Sequence, residues 1–258
     1  MKNIALITGA SSGIGKELAT IHAEKGGDMV LVARRKEKLV ELKSDLETKY
    51  SVSVTIISKD LSVAGSATEL FEEIQASGTE INFLINNAGF GLRGYFQELP
   101  WERQQQMMQL NMISLSELTY LFLPQMMKRG SGRILNVSST ASLMPGPLQA
   151  VYFATKAYVT FLSNALAEEL KNTGITVTNL MPGATETEFA KTADMENTEL
   201  FKNAFSARGV ASDGYEGMMK GKLDVISGVS GSQKILQYMI PFIPKKTLLA
   251  QVKKMQQA

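Results

Sequence analysis

The sequence predicts an α/β fold: a single domain built on a doubly wound parallel sheet with helices on both faces. Short runs of β-branched and apolar residues alternate with longer stretches of helical periodicity along all 258 residues. Several of the short runs are apolar on both faces, as strands are in a parallel sheet that is covered on both sides. The sequence has no internal repeat, low-complexity tract or proline-rich linker, so one domain over residues 1–258 is the economical interpretation.

Each predicted element has its own pattern. Strands are predicted where β-branched or apolar residues end at turn residues, at 4–8, 29–33, 52–58, 83–86, 133–138 and 176–181, with a further strand at 223–227. Helices are predicted where apolar residues recur every three to four positions, at 15–25, 36–49, 64–77, 101–129 and 151–172. This alternation places helical crossovers between parallel strands.

The composition excludes several classes of protein. There is no cysteine, so disulfides and thiolate metal sites are excluded, and we expect no metal site. The single histidine, His22, falls in the first predicted helix, where we expect a surface or half-buried position rather than a Ser-His-Asp triad. A net charge of +2 does not suggest nucleic-acid binding. No apolar run reaches the length of a membrane span or a signal peptide, and we therefore expect a cytoplasmic protein.

A glycine-rich turn follows the first predicted strand. Its spacing is Gly-x-x-x-Gly-x-Gly over Gly9, Ser11, Ser12, Gly13, Ile14 and Gly15. Glycines let the backbone turn tightly and approach a pyrophosphate, and the following helix presents unpaired amides and the positive end of its dipole. The turn therefore predicts a dinucleotide site, although a plain Gly/Ser turn is the alternative.

The end of the second predicted strand indicates which dinucleotide is bound. NAD-dependent enzymes usually place a carboxylate here, whereas arginine accommodates the additional phosphate of NADP. Arg34 and Arg35 occupy this position without an acid, which favours NADP, with a solvated basic helix start as the alternative. Further contacts with the cofactor are expected after the third and fourth strands, from Asp60, Leu61, Asn87, Ala88 and Gly89.

Tyr152 and Lys156 are four residues apart and so lie on one face of a helix. A nearby ammonium favours phenolate and would lower the pKa of the tyrosine by roughly 1 to 3 units, towards the range useful for acid–base catalysis. The spacing alone is also compatible with a packed tyrosine and a lysine that reaches solvent.

Taken together, the motifs of this chain resemble those of the short-chain dehydrogenase/reductase family over essentially the whole length. The resemblance rests on six features in order: Thr8 to Gly15, Asn86 to Gly89, Asn111, Ser139, the Tyr152/Lys156 pair, and Pro182-Gly183 followed by Thr187. It implies a Rossmann-type fold and oxidoreductase activity on carbonyl and alcohol groups.

The resemblance also implies roles for individual residues. Tyr152 would exchange a proton with the substrate oxygen, and Lys156 would lower its pKa and bind the nicotinamide ribose. Ser139 would orient the substrate oxygen, with Ser138 and Ser142 as rivals, and Asn111 would hold a water that relays protons. Four residues would border the nicotinamide carboxamide: Pro182, Gly183, Thr185 and Thr187.

The substrate pocket is expected to be closed by residues 185–215 together with segments after Ser139 and Gly89. An apolar carbonyl or secondary alcohol is favoured by the apolar residues of this region, with loop side chains that pack on the sheet and touch no ligand as the alternative. These residues are Phe90, Leu92, Met144, Leu148, Phe189 and Phe201. Residues 233–258 form a basic amphipathic tail, which we expect to pack on its own domain or on a partner subunit, with contact to a membrane surface as the alternative. The family resemblance implies a homodimer or homotetramer paired through 101–129 and 151–172.

Two functions remain open on the sequence. The first is NADP(H)-dependent interconversion of a carbonyl and a secondary alcohol. The second is a catalytically silent dinucleotide-binding sensor or scaffold, because fold alone does not establish turnover. The presence of Tyr152, Lys156, Ser139 and Asn111 favours the enzyme.

Overall fold

A computed structural model describes residues 3–196, 198, 200–202 and 204–257, and only the backbone of Tyr238 and Pro241. Its centre is a seven-stranded parallel sheet. The strands of this sheet are β1 (Ile4–Thr8), β2 (Asp28–Ala33), β3 (Val54–Ser58), β4 (Phe83–Asn86), β5 (Gly132–Val137), β6 (Ile175–Pro182) and, after two short strands described below, β9 (Asp224–Ser227). The predicted fold class is therefore confirmed, including the strand near residue 223.

The strand order, β3-β2-β1-β4-β5-β6-β9, determines where a ligand can bind. The chain moves outward from β1 to β3 and then returns to place β4 on the other side of β1, with Ala5 paired to Phe83. The loops after β1 and β4 consequently leave the sheet in opposite directions, and this switch point opens a crevice at the carboxyl ends of the strands.

Helices cover both faces of the sheet. They are α1 (Gly13–Glu24), α2 (Lys36–Tyr50), α3 (Ser66–Ala76), α4 (Trp101–Met108), α5 (Leu115–Arg129) and α6 (Ala150–Glu169), followed by α7 (Phe189–Thr192) and α8 (Ala207–Met219). One buried apolar cluster joins the sheet to α1, α2 and α8, and a second joins it to α3 and α5. Strands such as β4 are buried at every residue, which explains their continuous apolar sequence.

The single helix predicted over 101–129 is interrupted. Between α4 and α5 the chain forms a π-helix, Gln109–Ser114, with Asn111 inside it. A π-helical segment widens the backbone by one residue per turn and is found frequently at functional sites. Apolar periodicity could not show it, because the chain remains helical on both sides.

The prediction of a substrate loop over residues 185–215 extends too far along the chain. Two short strands, β7 (Thr185–Glu186) and β8 (Phe205–Ser206), pair with each other, and α8 then begins at residue 207. Val210 and Tyr215 on α8 belong to the core. The sequence concealed this helix because it contains three glycines, which are poor helix formers. A methyl group on Gly214 would lie 2.5 Å from Leu180, so glycine here permits close packing of helix on sheet. Asn197, Glu199 and Asn203 of the predicted loop lie outside the described residues.

The carboxyl-terminal segment forms α9 (Gly231–Met239), a 3-10 helix (Ile240–Phe242) and α10 (Lys245–Gln256). Leu248 and Val252 of α10 are buried in a third apolar cluster that contains Tyr152. This part of the tail therefore packs on its own domain, whereas Ile235 and Leu236 of α9 remain exposed. No helix in the described ranges is long and apolar enough to cross a membrane. Ala258, the last residue of the predicted tail, lies outside the described residues.

The expected surface or half-buried position of His22 is wrong. Its ring is buried against α8 and shares a 2.8 Å hydrogen bond with the Tyr215 hydroxyl. Burial lowers the pKa of the His22 imidazole, which keeps it neutral at physiological pH. His22 does not line the cavity described below, so it takes no part in that site.

Candidate active site

The glycine-rich turn is held against the loop after β4. The amide of Asn87 donates to the Thr8 carbonyl at 2.9 Å, and the backbone N–H groups of Asn87 and Ala88 both donate to Thr8 Oγ1 at 3.0 Å. Gly9 and Gly13 have φ values of +67° and +54°, which residues with a Cβ adopt only under strain. A methyl group on Gly15 would lie 2.3 Å from the Gly9 carbonyl oxygen, so glycine is required there for packing.

A cavity of about 430 Å³ begins at this turn and crosses the carboxyl ends of the strands. Nearly all of the predicted site residues line it: Gly9, Ser11, Ser12, Gly13, Ile14, Arg34, Arg35, Asp60, Leu61, Asn87, Ala88, Gly89, Ser139, Tyr152, Lys156, Pro182, Gly183, Thr185 and Thr187. The two exceptions are Gly15 and Asn111. The crevice thus brings together residues that are scattered over most of the chain.

The two predicted arginines face different partners. Arg35 Nη2 donates to the hydroxyls of Ser11 and Ser12 at 3.1 and 3.0 Å, so its guanidinium lies directly at the glycine-rich turn. Arg34 lies 4.0 Å from the Asp60 carboxylate and is more exposed. Of the two, Arg35 is therefore better placed to meet a phosphate beside the turn.

Tyr152 and Lys156 both point into the cavity from α6. Lys156 Nζ donates a 2.8 Å hydrogen bond to the Val137 carbonyl and lies 5.8 Å from the centroid of the Tyr152 ring. Burial raises the pKa of the Tyr152 phenol to about 12, with a hydrogen bond to Ser139 acting in the opposite direction. Burial likewise lowers the pKa of the Lys156 ammonium to about 8. The expected lowering of the tyrosine pKa by the lysine is not found in this structure, where desolvation of the phenol is the largest cause of the shift.

The structure separates the three candidate serines. Ser139 Oγ faces the cavity beside Tyr152 and accepts a hydrogen bond from the Ala141 amide at 3.1 Å. Ser138 Oγ instead bonds to the Lys156 carbonyl and the Thr160 hydroxyl, both at 2.8 Å. The Ser142 hydroxyl is buried away from the cavity. Among these serines, Ser139 alone presents a hydroxyl to the tyrosine.

Asn111 lies behind the cavity wall. Its side-chain amide donates to the Phe90 carbonyl at 3.0 Å and to Thr155 Oγ1 at 3.1 Å, and its oxygen accepts from the Phe90 amide. The side chain therefore ties the loop after β4 to α6. Its role in a proton relay stays a prediction.

Three parts of the cavity wall were not anticipated. Glu188 accepts hydrogen bonds from Arg35 and Lys38, Gln149 lies at the start of α6, and α10 contributes Val252, Met255 and Gln256. Arg93 fixes α10 by donating to the Gln256 carbonyl at 3.2 Å and to the Asp194 carboxylate at 3.0 Å. Only the position of Glu188, directly after the predicted Thr187, offered a signal in the sequence.

The residues present fit a nicotinamide dinucleotide. The glycine-rich turn leaves no room for a Cβ on Gly9 or Gly15 and carries two hydroxyls beside a guanidinium, as a pyrophosphate and an adenosine phosphate require. Ser139, Tyr152 and Lys156 line the same cavity, and β1 and β4 separate β2, which ends before Arg35, from β5, which ends before Ser139. These residues combine a phosphate cradle with a hydroxyl pair suited to polarising a carbonyl oxygen.

Known proteins are similar to this chain in sequence. Residues 3–198 match the family model described as short chain dehydrogenase. The very-long-chain 3-oxoacyl-CoA reductase of Rattus norvegicus is 36% identical over 217 residues, covering 80% of this chain and 68% of that protein. The corresponding human reductase is 34% identical over 219 residues, covering 81% and 69%.

Solved structures agree over nearly the full length. A short-chain dehydrogenase from Sphingobium yanoikuyae in complex with NADPH has a TM-score of 0.81 and 30% identity, covering 99% of this chain and 98% of that one. A bulky-bulky ketone specific alcohol dehydrogenase from Comamonas testosteroni has a TM-score of 0.79 and 29% identity, covering 99% and 97%. The chain belongs to the short-chain dehydrogenase/reductase family and is an oxidoreductase that acts on carbonyl and alcohol groups with a nicotinamide dinucleotide.

Proposed function

We propose that this enzyme is an NADPH-dependent reductase of bulky apolar ketones or 3-oxoacyl chains, with Tyr152 as the proton donor. The observation that carries the proposal is one continuous cavity with Arg35 at the phosphate turn and Tyr152 beside Ser139 further along it. A bound nicotinamide supplies the hydride. The chain itself has to supply the proton and to orient the oxygen that receives it.

Burial suits Tyr152 to donation. With a pKa of about 12 the phenol stays protonated throughout the neutral range, so the proton needed for reduction is present. Ser139 presents a second hydroxyl to the same oxygen, and both stabilise the negative charge that develops there. The ammonium of Lys156 lies on the same wall and favours the phenolate that remains after the proton has left. The protonated phenol is the form that reduction requires.

The substrate end of the cavity supports an apolar substrate. Its wall contains Phe90, Phe153, Phe189 and Phe201 together with Val252 and Met255 of α10. Phe189 packs on Tyr152 with ring centroids 5.2 Å apart, so an apolar surface extends to the phenol itself. The relatives named 3-oxoacyl-CoA reductases and the neighbour named for bulky ketones support the same class.

A substrate panel tests this function. We expect purified enzyme to oxidise NADPH with long-chain 3-oxoacyl-CoA esters or ketones bulky on both sides, with kcat/KM at least about tenfold above that for acetone or 3-oxobutyryl-CoA. Each buried CH₂ group contributes about 0.8 kcal/mol, so several suffice for this ratio. Equal kcat/KM for small and bulky substrates would contradict the substrate class, and no turnover with any carbonyl would contradict the function.

The choice of NADPH is tested by Arg35→Ser. A hydrogen bond to a charged group contributes about 1.5 to 3 kcal/mol, so we expect NADPH affinity to fall about 10- to 100-fold. NADH lacks the 2′-phosphate, and its affinity is expected to change less than about threefold. Titration calorimetry with both cofactors measures this. Arg34→Ser is the matched control with a smaller expected effect, and an equal loss for NADPH and NADH would refute the role of Arg35.

Assembly of subunits stays a prediction. The helices expected to pair the subunits expose large aromatic side chains. Tyr120 on α5 is 76% exposed, and Phe161 on α6 is 73% exposed. Exposed aromatic residues on adjacent helices are typical of protein–protein interfaces. They support the proposed homodimer or homotetramer.

A further inference from the structure

The cationic end of the cavity is already occupied by an anion from this chain. Glu188 Oε2 lies 2.6 Å from Arg35 Nη2, and its Oε1 lies 2.7 Å from Lys38 Nζ. The pKa of the Glu188 carboxyl is held at about 2, chiefly by the hydrogen bond from Arg35 and then by that from Lys38. The carboxylate is therefore ionised under all ordinary conditions.

Glu188 belongs to a short strap, residues 187–189, all three of which line the cavity. Thr187 lies over the glycine-rich turn, since a methyl group on Gly13 would come within 2.8 Å of its Cγ2. Phe189 packs on the ring of Tyr152. Three consecutive residues thus have three different contacts: Thr187 with the glycine-rich turn, Glu188 with Arg35 and Lys38, and Phe189 with Tyr152.

Glu188 and the proposed 2′-phosphate compete for the same part of Arg35. Nη2 of Arg35 is the nitrogen that donates to Ser11 and Ser12 at the glycine-rich turn, and the same nitrogen donates to Glu188. Two like charges at hydrogen-bond distance from one guanidinium repel each other. We therefore expect a phosphate bound at Arg35 Nη2 to displace Glu188, and Phe189 follows Glu188 directly in the chain.

We propose that Glu188 is a latch, which holds the strap 187–189 across the cavity through Arg35 and Lys38 until a 2′-phosphate displaces it. Displacement releases Phe189 from Tyr152 and opens the substrate end. Glu188 thereby lowers the affinity for the phosphorylated cofactor and links its binding to access to Tyr152. This inference rests on the proposed NADPH preference and deepens it.

The test uses 2′,5′-ADP and 5′-AMP as probes of the phosphate alone, with full-length protein and titration calorimetry. We expect Glu188→Gln to tighten 2′,5′-ADP binding about tenfold and to leave 5′-AMP within about twofold, because only the former competes with the latch. Glu186→Gln is the matched control: it is exposed on β7, two residues away, and forms no salt bridge among the described residues. Unchanged or weaker 2′,5′-ADP binding in Glu188→Gln would overturn the proposal, as would an equal gain in Glu186→Gln.

Hydrogen exchange separates a latch from simple repulsion. In the wild type, 2′,5′-ADP is expected to raise exchange of the peptide 187–196 and 5′-AMP is not, whereas in Glu188→Gln exchange is fast from the start. Tighter binding without a change in exchange would overturn the latch. The NADPH preference is judged separately, from the ratio of the dissociation constants of 5′-AMP and 2′,5′-ADP in the wild type. Equal dissociation constants in the wild type would contradict that preference. The latch is judged from the change that Glu188→Gln causes.

Discussion

Tyr152→Phe is expected to lower kcat for carbonyl reduction by at least about 10³-fold. A positioned general acid contributes roughly 10²- to 10⁴-fold, and the hydroxyl of Tyr152 also stabilises the developing oxyanion. Phenylalanine keeps the packing on Phe189 and Phe153, so NADPH affinity is expected to stay within about threefold. Steady-state kinetics and calorimetry measure the two quantities.

Tyr158→Phe is the matched control for that variant. Tyr158 lies on the same helix but bonds to Ser116 at 2.9 Å, and it does not line the cavity. Its kcat is expected to remain within about twofold of the wild type. If Tyr152→Phe retained more than a tenth of wild-type kcat, the proton would have to come from another group.

Lys156→Met is expected to abolish turnover and yet to stabilise the ligand-free fold at pH 7. Burial lowers the pKa of Lys156 from 10.5 to about 8, which corresponds to a cost of about 3 kcal/mol for keeping the ammonium in the folded state. Loss of the hydrogen bond from the charged ammonium to the Val137 carbonyl removes about 1.5 kcal/mol. The net gain of about 1.5 kcal/mol predicts a midpoint of thermal unfolding raised by about 4 °C.

The pH dependence of this gain follows from the sign of the shift. Below pH 8 the lysine is charged in both states and the cost is complete; between pH 8 and 10.5 it is neutral only when folded, and the cost disappears. The variant is therefore expected to lose its advantage towards pH 10.5 and to become slightly less stable than wild type above it. Lys171→Met, at an exposed lysine, is the control and should change stability by less than about 0.5 kcal/mol. A destabilised Lys156→Met at pH 7 would show that the buried ammonium is not costly.

The sequence predicted what depends on local pattern. Continuous apolar runs indicated the parallel strands. The glycine-rich turn after β1 and the arginines after β2 indicated the part of the cavity that lies at the ends of these two strands. The family resemblance predicted that Ser139 and Tyr152 act together. Their positions agree with this, because Ser139 follows β5 and Tyr152 lies on α6, the next long helix along the chain. The confirmed fold class follows from the alternation of these runs with helical periodicity, because a strand buried on both faces appears as a continuous run of apolar residues.

What the sequence could not predict depends on distant contacts. Glu188 meets Arg35 across 153 positions, and no local pattern indicates such a pair. The glycines of α8 argue against a helix until Leu180 and Val225 are seen packed against them. The spacing of Tyr152 and Lys156 predicts a lowered pKa for the phenol, whereas the structure raises it. Spacing indicates the neighbouring charge but not the burial of the phenol, which is the largest cause of the shift.

The position of β1 between β2 and β4 also bears on how the chain folds during synthesis. Ala5 pairs with both Met29 and Phe83. One edge of β1 therefore stays unpaired until β4 has emerged from the ribosome. At 5–20 residues per second this interval lasts roughly several seconds, during which an apolar strand edge stays unpaired. Such non-local parallel pairing is slow to form and open to wrong partners. The arrangement that creates the ligand crevice thus also makes the nascent chain vulnerable to aggregation.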